Sequence, residues 1–124
     1  MIKTFEDLDV WKRSCQLAVD TYSALHQSKD YGLKDQMQRA AVSVASNIAE
    51  GSDRGGTPEF IRFLRIAKAS CAELRTQLYI AQRIRKQTQQ PPLENGAEII
   101  QETKEISAML QSLINSLQNK QASK

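Results

Sequence analysis

The stretch AAVSVASNIAEGSDRGGTPEFIRFLRIAKAS, residues 40–70, indicates two helices joined by a short break. Alanine and serine dominate its first half, and a glycine-rich segment separates that half from an arginine-rich second half. Gly51 stands where a helix commonly ends in a left-handed residue. Thr57 suits an N-terminal cap, Pro58 the first helical position and Glu59 the positive helix end. We therefore predict one helix that ends at Gly51 and another that begins at Pro58.

Outside this stretch, apolar residues also recur at spacings of three and four, which is typical of amphipathic helices. The pattern predicts helices over about 7–27, 33–50, 58–86 and 94–118, with a frayed tail at 119–124. Short connections join them, so we expect an all-α protein folded as one domain, 1–124: an antiparallel up-down-up-down four-helix bundle. The predicted core row of the first helix consists of Leu8, Trp11, Cys15, Ala18, Tyr22 and Leu25.

The charge is uneven along the chain. The formal net charge is +3, and residues 29–86 carry 11 basic and 6 acidic side chains. This excess points to an anionic partner for the middle of the chain. The sequence has no apolar run of about 18 residues and its first residues lack the apolar core of a signal peptide, so we expect a cytoplasmic protein without a membrane partner.

Residues that could support catalysis or bind a metal are few. Cys15 and Cys71 do not form a Cys-x-x-Cys pair, and both are expected to be buried, reduced thiols. His26 is the single histidine, and no Glu-x-x-His motif precedes it. The GSDRGG segment lacks the Lys-Ser/Thr pair of a phosphate-binding loop. We therefore predict no catalytic residues, no metal, no cofactor and no enzymatic activity.

Two helices carry a further row of residues beside the predicted core row. The second helix has a polar row with short side chains in its middle, which fits close approach of a neighbouring helix, a polar interface, or an ordinary solvated face. This row consists of Gln36, Arg39, Ser43, Ser46, Asn47 and Glu50. The third helix has Ile66, Ala69, Glu73, Thr76 and Ile80 nearly opposite its core row, and a helix with two apolar faces usually meets two partners. Arg39 is a candidate partner for Glu73. The predicted subunit interface comprises Arg39, Ser43, Asn47, Glu50, Ile66, Ala69, Glu73 and Ile80.

Basic residues are the remaining candidates for binding. One subunit would present a small basic patch, and a cyclic oligomer would repeat it, so that contacts to many phosphates add together. The predicted nucleic-acid-binding residues are Arg54, Arg62, Arg65, Lys68 and Arg83.

The segments FEDLDVWKRSCQLAVDTY, YGLKDQMQRAAVSVASNIAEGSDR and EFIRFLRIAKASCAELRTQL resemble the four-helix-bundle proteins named 23S ribosomal RNA intervening-sequence proteins. The resemblance spans Phe5 to Leu117, and Ala69 departs from it, because glycine is common there in the family. It implies up-down bundles assembled as homopentamers around a channel. It also extends to accessory variability proteins of diversity-generating retroelements, which assist a reverse transcriptase and bind nucleic acid through a basic surface. The motif residues of the second helix are Ser43, Asn47, Ile48, Ala49, Glu50 and Gly51, followed by Arg54.

These observations lead to one main hypothesis and one alternative. The main hypothesis is a non-enzymatic, oligomeric accessory protein that binds nucleic acid, with RNA favoured over DNA, and assists a reverse transcriptase. The alternative is a protein-interaction scaffold whose basic patch binds an acidic partner protein. Salt dependence and binding to naked RNA distinguish the two.

Overall fold

The computed structural model describes residues 4–123, and every regular element in that range is helical. This confirms the all-α prediction. The elements are a 3-10 turn at Phe5–Asp7 and four helices, α1 (Asp9–Ala24), α2 (Tyr31–Asp53), α3 (Thr57–Gln87) and α4 (Gly96–Ala122).

The four helices form a ring in chain order, in which each packs on the next and α4 closes against α1. Side-chain contacts give the direction of the α2–α3 pair. The Ser43 hydroxyl of α2 hydrogen-bonds the Ser70 hydroxyl of α3, whereas Gly51, further along α2, lies against Phe63, earlier in α3. The two helices of this pair therefore run antiparallel.

Apolar side chains from all four helices fill the centre. In α2, α3 and most of α4 the buried side chains recur at spacings of three and four, as the sequence predicts. The end of α4 differs, because Ile114 is buried there and the predicted Leu113 and Leu117 are only partly buried. The largest completely buried apolar side chains are Leu17, Met37, Val44, Ile48, Leu64, Leu74, Leu78, Ile106, Leu110 and Ile114.

The core face of α1 differs from the predicted row. Val10, Ser14, Leu17 and Thr21 are buried, and each directly precedes a residue of the predicted row, so the true face is turned by about 100°. The Ser14 and Thr21 hydroxyls donate to the carbonyl oxygens of Val10 and Leu17, each at 2.7 Å, which makes burial of these polar groups possible. Tyr22 is 48% exposed. Three further residues of the predicted row are only partly buried: Trp11, Cys15 and Ala18. Leu8 and Leu25, which flank α1, are buried as predicted.

The end of α2 also differs from the prediction. Gly51 lies inside the helix and is buried, and α2 continues to Asp53. The glycine with a left-handed backbone is Gly55, with φ +82°. Glycine is required at position 51 for a different reason, because a Cβ there would stand 2.5 Å from the Phe63 Cβ.

Other helix ends differ from the predicted ends by a few residues. Asp30 caps α2, because its carboxylate accepts the Leu33 backbone N–H, so α2 begins before the predicted residue 33. The N-cap of α3 is Gly56 and not Thr57, which is the first helical residue. The predicted frayed tail is helical through Ala122, and Lys124 lies outside the described residues.

Candidate nucleic-acid and subunit interface

Two of the predicted binding residues lie at the α2–α3 connection, around Phe63. The guanidinium carbons of Arg54 and Arg62 stand 4.9 and 4.5 Å from the centre of the Phe63 ring. Each also binds a carboxylate, Arg54 Nη2 to Glu50 Oε1 at 2.7 Å and Arg62 Nε to Glu59 Oε1 at 3.0 Å. The hydrogen bond from Arg62 lowers the pKa of the Glu59 carboxyl. Both guanidinium charges are therefore partly compensated within the chain.

Arg65 and Arg83 have a different environment. Both are exposed, and neither side chain has a hydrogen bond or an ion pair within residues 4–123. They are eighteen residues apart, which is five helical turns, so they lie on one line along α3 at a separation of about 27 Å. Their charges remain available to an external anion.

Lys68 is placed away from this line. Its ammonium donates a 2.7 Å hydrogen bond to Gln111 Oε1 of α4, so its side chain lies along the α3–α4 contact. Of the five predicted binding residues, the structure thus leaves two free, pairs two with carboxylates and directs one toward α4.

The outer row of α3 is solvent-exposed, as its spacing predicts. Ile66 and Ile80 are 37% and 45% exposed, and Ala69, Glu73 and Thr76 lie between them along the same row. The exposed row continues to Ile84, which is 40% exposed and was not part of the predicted row. The signal was present, since Ile84 follows Ile80 at a spacing of four.

The exposed arginines and the outer row share the solvent-facing side of α3. Arg62 lies in the same angular position as Ile80, because eighteen residues separate them. Arg65 and Arg83 instead lie about 100° from the isoleucines that follow them, Ile66 and Ile84. Relative to the middle of the outer row the separation is smaller, since Arg65 lies about 40° from Ala69 and Arg83 about 20° from Thr76. A partner seated on the outer row would therefore cover Arg62, and Arg65 and Arg83 would lie at the edge of the contact.

The polar row of α2 is used mainly within the chain. The amide nitrogen of Asn47 donates to the Ser43 carbonyl at 2.8 Å and contacts the Ser43 hydroxyl at 2.9 Å, and that hydroxyl reaches Ser70 of α3. These contacts favour the close-approach interpretation of the short side chains. Arg39 binds Asp35 at 2.9 Å and not Glu73, because Asp35 is one helical turn away on the same helix.

A second exposed apolar patch, the α1–α2 patch, was missed in the sequence. It consists of Val19, Tyr22 and Val42, which are 57%, 48% and 43% exposed, and Tyr22 and Val42 line one surface depression. Placing Tyr22 in the core concealed this patch. Correct placement requires recognising that serine and threonine can be buried in α1.

Reactive groups are scattered. Burial raises the pKa of the Cys71 thiol to about 12 and also raises that of Cys15, which is only partly buried. Within residues 4–123, no three His, Cys, Asp or Glu side chains come together as a potential metal site. None of the helices in that range is both long and apolar enough to cross a membrane.

Comparison with known proteins adds the family relationship. No curated protein is significantly similar to the chain. The sequence profile described as "23S rRNA-intervening sequence protein" matches residues 6–112, which include α1 to α3 and more than half of α4. With this match and four helices in the described chain, the protein belongs to the 23S rRNA-intervening sequence protein family.

Proposed function

We propose that this chain is a non-enzymatic, oligomeric accessory protein that binds nucleic acid, with RNA favoured over DNA. The binding surface is the basic side of α3, which carries Arg65 and Arg83. One observation carries the proposal: Arg65 and Arg83 are exposed, aligned along α3 and free of carboxylate partners in the described chain. Guanidinium groups bind phosphate oxygens strongly, and charge-assisted hydrogen bonds position a nucleic-acid backbone without reading its bases.

The assembly part of the proposal uses the isoleucine side of α3. Ile66 and Ile84 expose apolar surface about 100° from the two arginines. A second subunit seated on this edge of the outer row would leave the two arginines at the margin of the contact, where a nucleic acid can still reach them. The α1–α2 patch is a different surface from the outer row, and contacts between unlike surfaces close into rings when the rotation between subunits allows it. The resemblance described above favours a homopentamer.

Repetition matters for affinity. Within the described chain, two guanidinium groups of α3 have neither a hydrogen bond nor an ion pair, which is few for binding RNA at physiological salt. A ring multiplies these contacts, and each neutralised phosphate adds to the affinity by releasing a counterion. Assistance to a reverse transcriptase belongs to the same proposal and rests on the resemblance alone.

Fluorescence anisotropy with a structured RNA, between about 50 and 200 mM salt, tests RNA binding. Arg65→Glu with Arg83→Glu should weaken binding at least about tenfold and reduce the log–log salt slope by about 0.7–0.9 for each phosphate that is no longer neutralised. Lys104→Glu with Lys120→Glu is the matched control, because it makes the same charge change at exposed positions of α4. Equally weakened RNA binding in both double variants would show that Arg65 and Arg83 do not form the binding site.

A protein-interaction scaffold is the second candidate. Arg54 and Arg62 already bind carboxylates, the groups that an acidic partner protein presents. If wild-type protein assembles but does not bind RNA at about 50 mM salt, this second function replaces the first.

A further inference from the structure

A cavity of about 310 Å³ lies at one end of the bundle, where the α1–α2 and α3–α4 connections meet. Its floor is apolar and comes from four different parts of the chain. Leu25, Met37, Ala81 and Leu93 contribute to it, and all four side chains are buried. The volume is at the lower end of the range for small-molecule sites, roughly 300–1,000 Å³.

The α3–α4 connection is fixed where it forms the cavity wall. The Leu93 backbone N–H donates a 2.9 Å hydrogen bond to Gln82 Oε1 of α3. Gly96, at the start of α4, packs against the same glutamine side chain, where a Cβ would clash with it. These contacts fix Leu93 in the cavity lining without any ligand, so the site is preformed.

The rim of the cavity is positively charged. It carries Lys29, Lys34 and Arg85, and its one carboxylate, Asp30, is used in capping α2. Arg85 Nη1 donates to the Pro91 carbonyl at 2.9 Å, which is a neutral acceptor. None of the three cations forms a salt bridge within the described chain, so the rim keeps a net positive charge above an apolar floor.

We propose that this cavity binds a small amphipathic anion, a medium-chain carboxylate. Its hydrocarbon chain would lie against Leu25, Met37 and Leu93, where burying apolar surface is favourable. Its carboxylate would remain at the rim, within reach of the lysines and Arg85, as a charge-assisted hydrogen bond requires. An apolar floor of this kind does not suit the phosphates of RNA, so the cavity is a different site from Arg65 and Arg83. Ile84 lines the cavity and also belongs to the outer row of α3, so a bound carboxylate would lie next to the proposed subunit contact.

Methionine methyl NMR on the full chain tests the proposal with decanoate, below its micelle-forming concentration. Met37 lines the cavity, whereas Met109 contacts Arg13 and serves as an internal reference. Decanoate should shift the Met37 methyl signal saturably and leave that of Met109 unchanged. Decyltrimethylammonium has a chain of the same length with the opposite charge and should not bind.

Rim variants test the role of charge. Lys29→Glu with Lys34→Glu should weaken decanoate binding at least about tenfold, because two attractive charges become repulsive. An acidic residue in the first turn of α2 suits the helix dipole, so folding should be retained. Lys104→Glu with Lys120→Glu is the control and should bind decanoate with the wild-type affinity. Absence of a Met37 shift, equal shifts at Met109, equal binding of the two amphiphiles, or unchanged affinity in the rim variant would each overturn the proposal.

Discussion

Gly51 of α2 lies directly against Phe63 of α3, so closely that a Cβ at position 51 would stand 2.5 Å from the Phe63 Cβ. The Phe60 ring is also near, with Cδ1 at 3.3 Å from the same point. The two helices approach at this position because one of them has no side chain there. Phe63 in turn supports the guanidinium groups of Arg54 and Arg62.

Gly51→Ala should therefore destabilise the fold by about 1–2 kcal/mol, even though alanine is the better helix former by up to about 1 kcal/mol. The added methyl group meets the Phe63 Cβ, which cannot move without the α3 backbone. Gly32→Ala is the control, since a Cβ at Gly32 meets nothing within 4 Å, and it should be neutral or stabilising. Chemical denaturation measures both, and equal stability of the two variants would contradict the prediction.

Assembly should depend on the outer row of α3. We expect light scattering coupled to gel filtration to give a multiple of the 14.0 kDa chain mass at micromolar concentration. Ile66→Glu or Ile80→Glu should lower the mass while circular dichroism stays the same, because both side chains are exposed. Ala108→Glu, at an exposed position of α4, should leave the mass unchanged. A monomeric wild-type protein would refute the assembly proposal.

Arg62→Glu and Arg65→Glu should affect stability differently. Replacing Arg62 removes its contacts with Glu59 and Phe63 and places two carboxylates one helical turn apart. Replacing Arg65 removes no hydrogen bond or ion pair within the described chain. The urea midpoint should therefore fall for Arg62→Glu and stay near wild type for Arg65→Glu, and the reverse order would contradict the geometry.

Stability at alkaline pH should depend on Cys71. Burial raises the pKa of its thiol from 9.0 to about 12. Between these values the unfolded thiol loses its proton while the folded one keeps it, so the unfolded state binds fewer protons and the free energy of unfolding falls as pH rises. The greatest slope from this group is about 1.4 kcal/mol per pH unit.

Denaturation of the wild type and Cys71→Ala at about pH 8 and pH 10 measures this contribution. The alanine variant is expected to be less stable at the lower pH, because it leaves a cavity, but its stability should decline less with pH. Other alkaline groups titrate in both proteins and cancel in the comparison. Parallel decline in the two proteins would show that the thiol is not protected by folding.

The fold was largely predictable because α2, α3 and α4 place apolar residues at regular spacing. The phase of α1 was not, because Ser14 and Thr21 occupy its core face. Hydropathy ranks a hydroxyl as polar, and only the structure reveals that each is satisfied by the carbonyl four residues earlier. The same error displaced Tyr22 from the surface to the predicted core.

The candidate site was predictable in its positions and not in its pairings. Periodicity alone placed Arg65, Arg83 and Ile66 on the outside of α3. It did not reveal that Arg54 and Arg62 hold carboxylates, since many rotamers of these long side chains are compatible with the sequence. Periodicity also could not show whether Ser43 contacts another subunit or another helix of the same chain. Its contact with Ser70 depends on how closely α2 and α3 approach.

The buried hydroxyls of α1 also bear on how the molecule opens. Ser14 and Thr21 bond their own helix, so at these core positions they contribute no directional link to the other three. In the described chain, the side-chain hydrogen bonds that join α1 to another helix all come from Arg13, which binds Glu102, Glu105 and Met109 of α4. As the shortest of the four helices, α1 should detach as a unit at lower energy than the α2–α3 hairpin, and its amide hydrogens should exchange with deuterated solvent first.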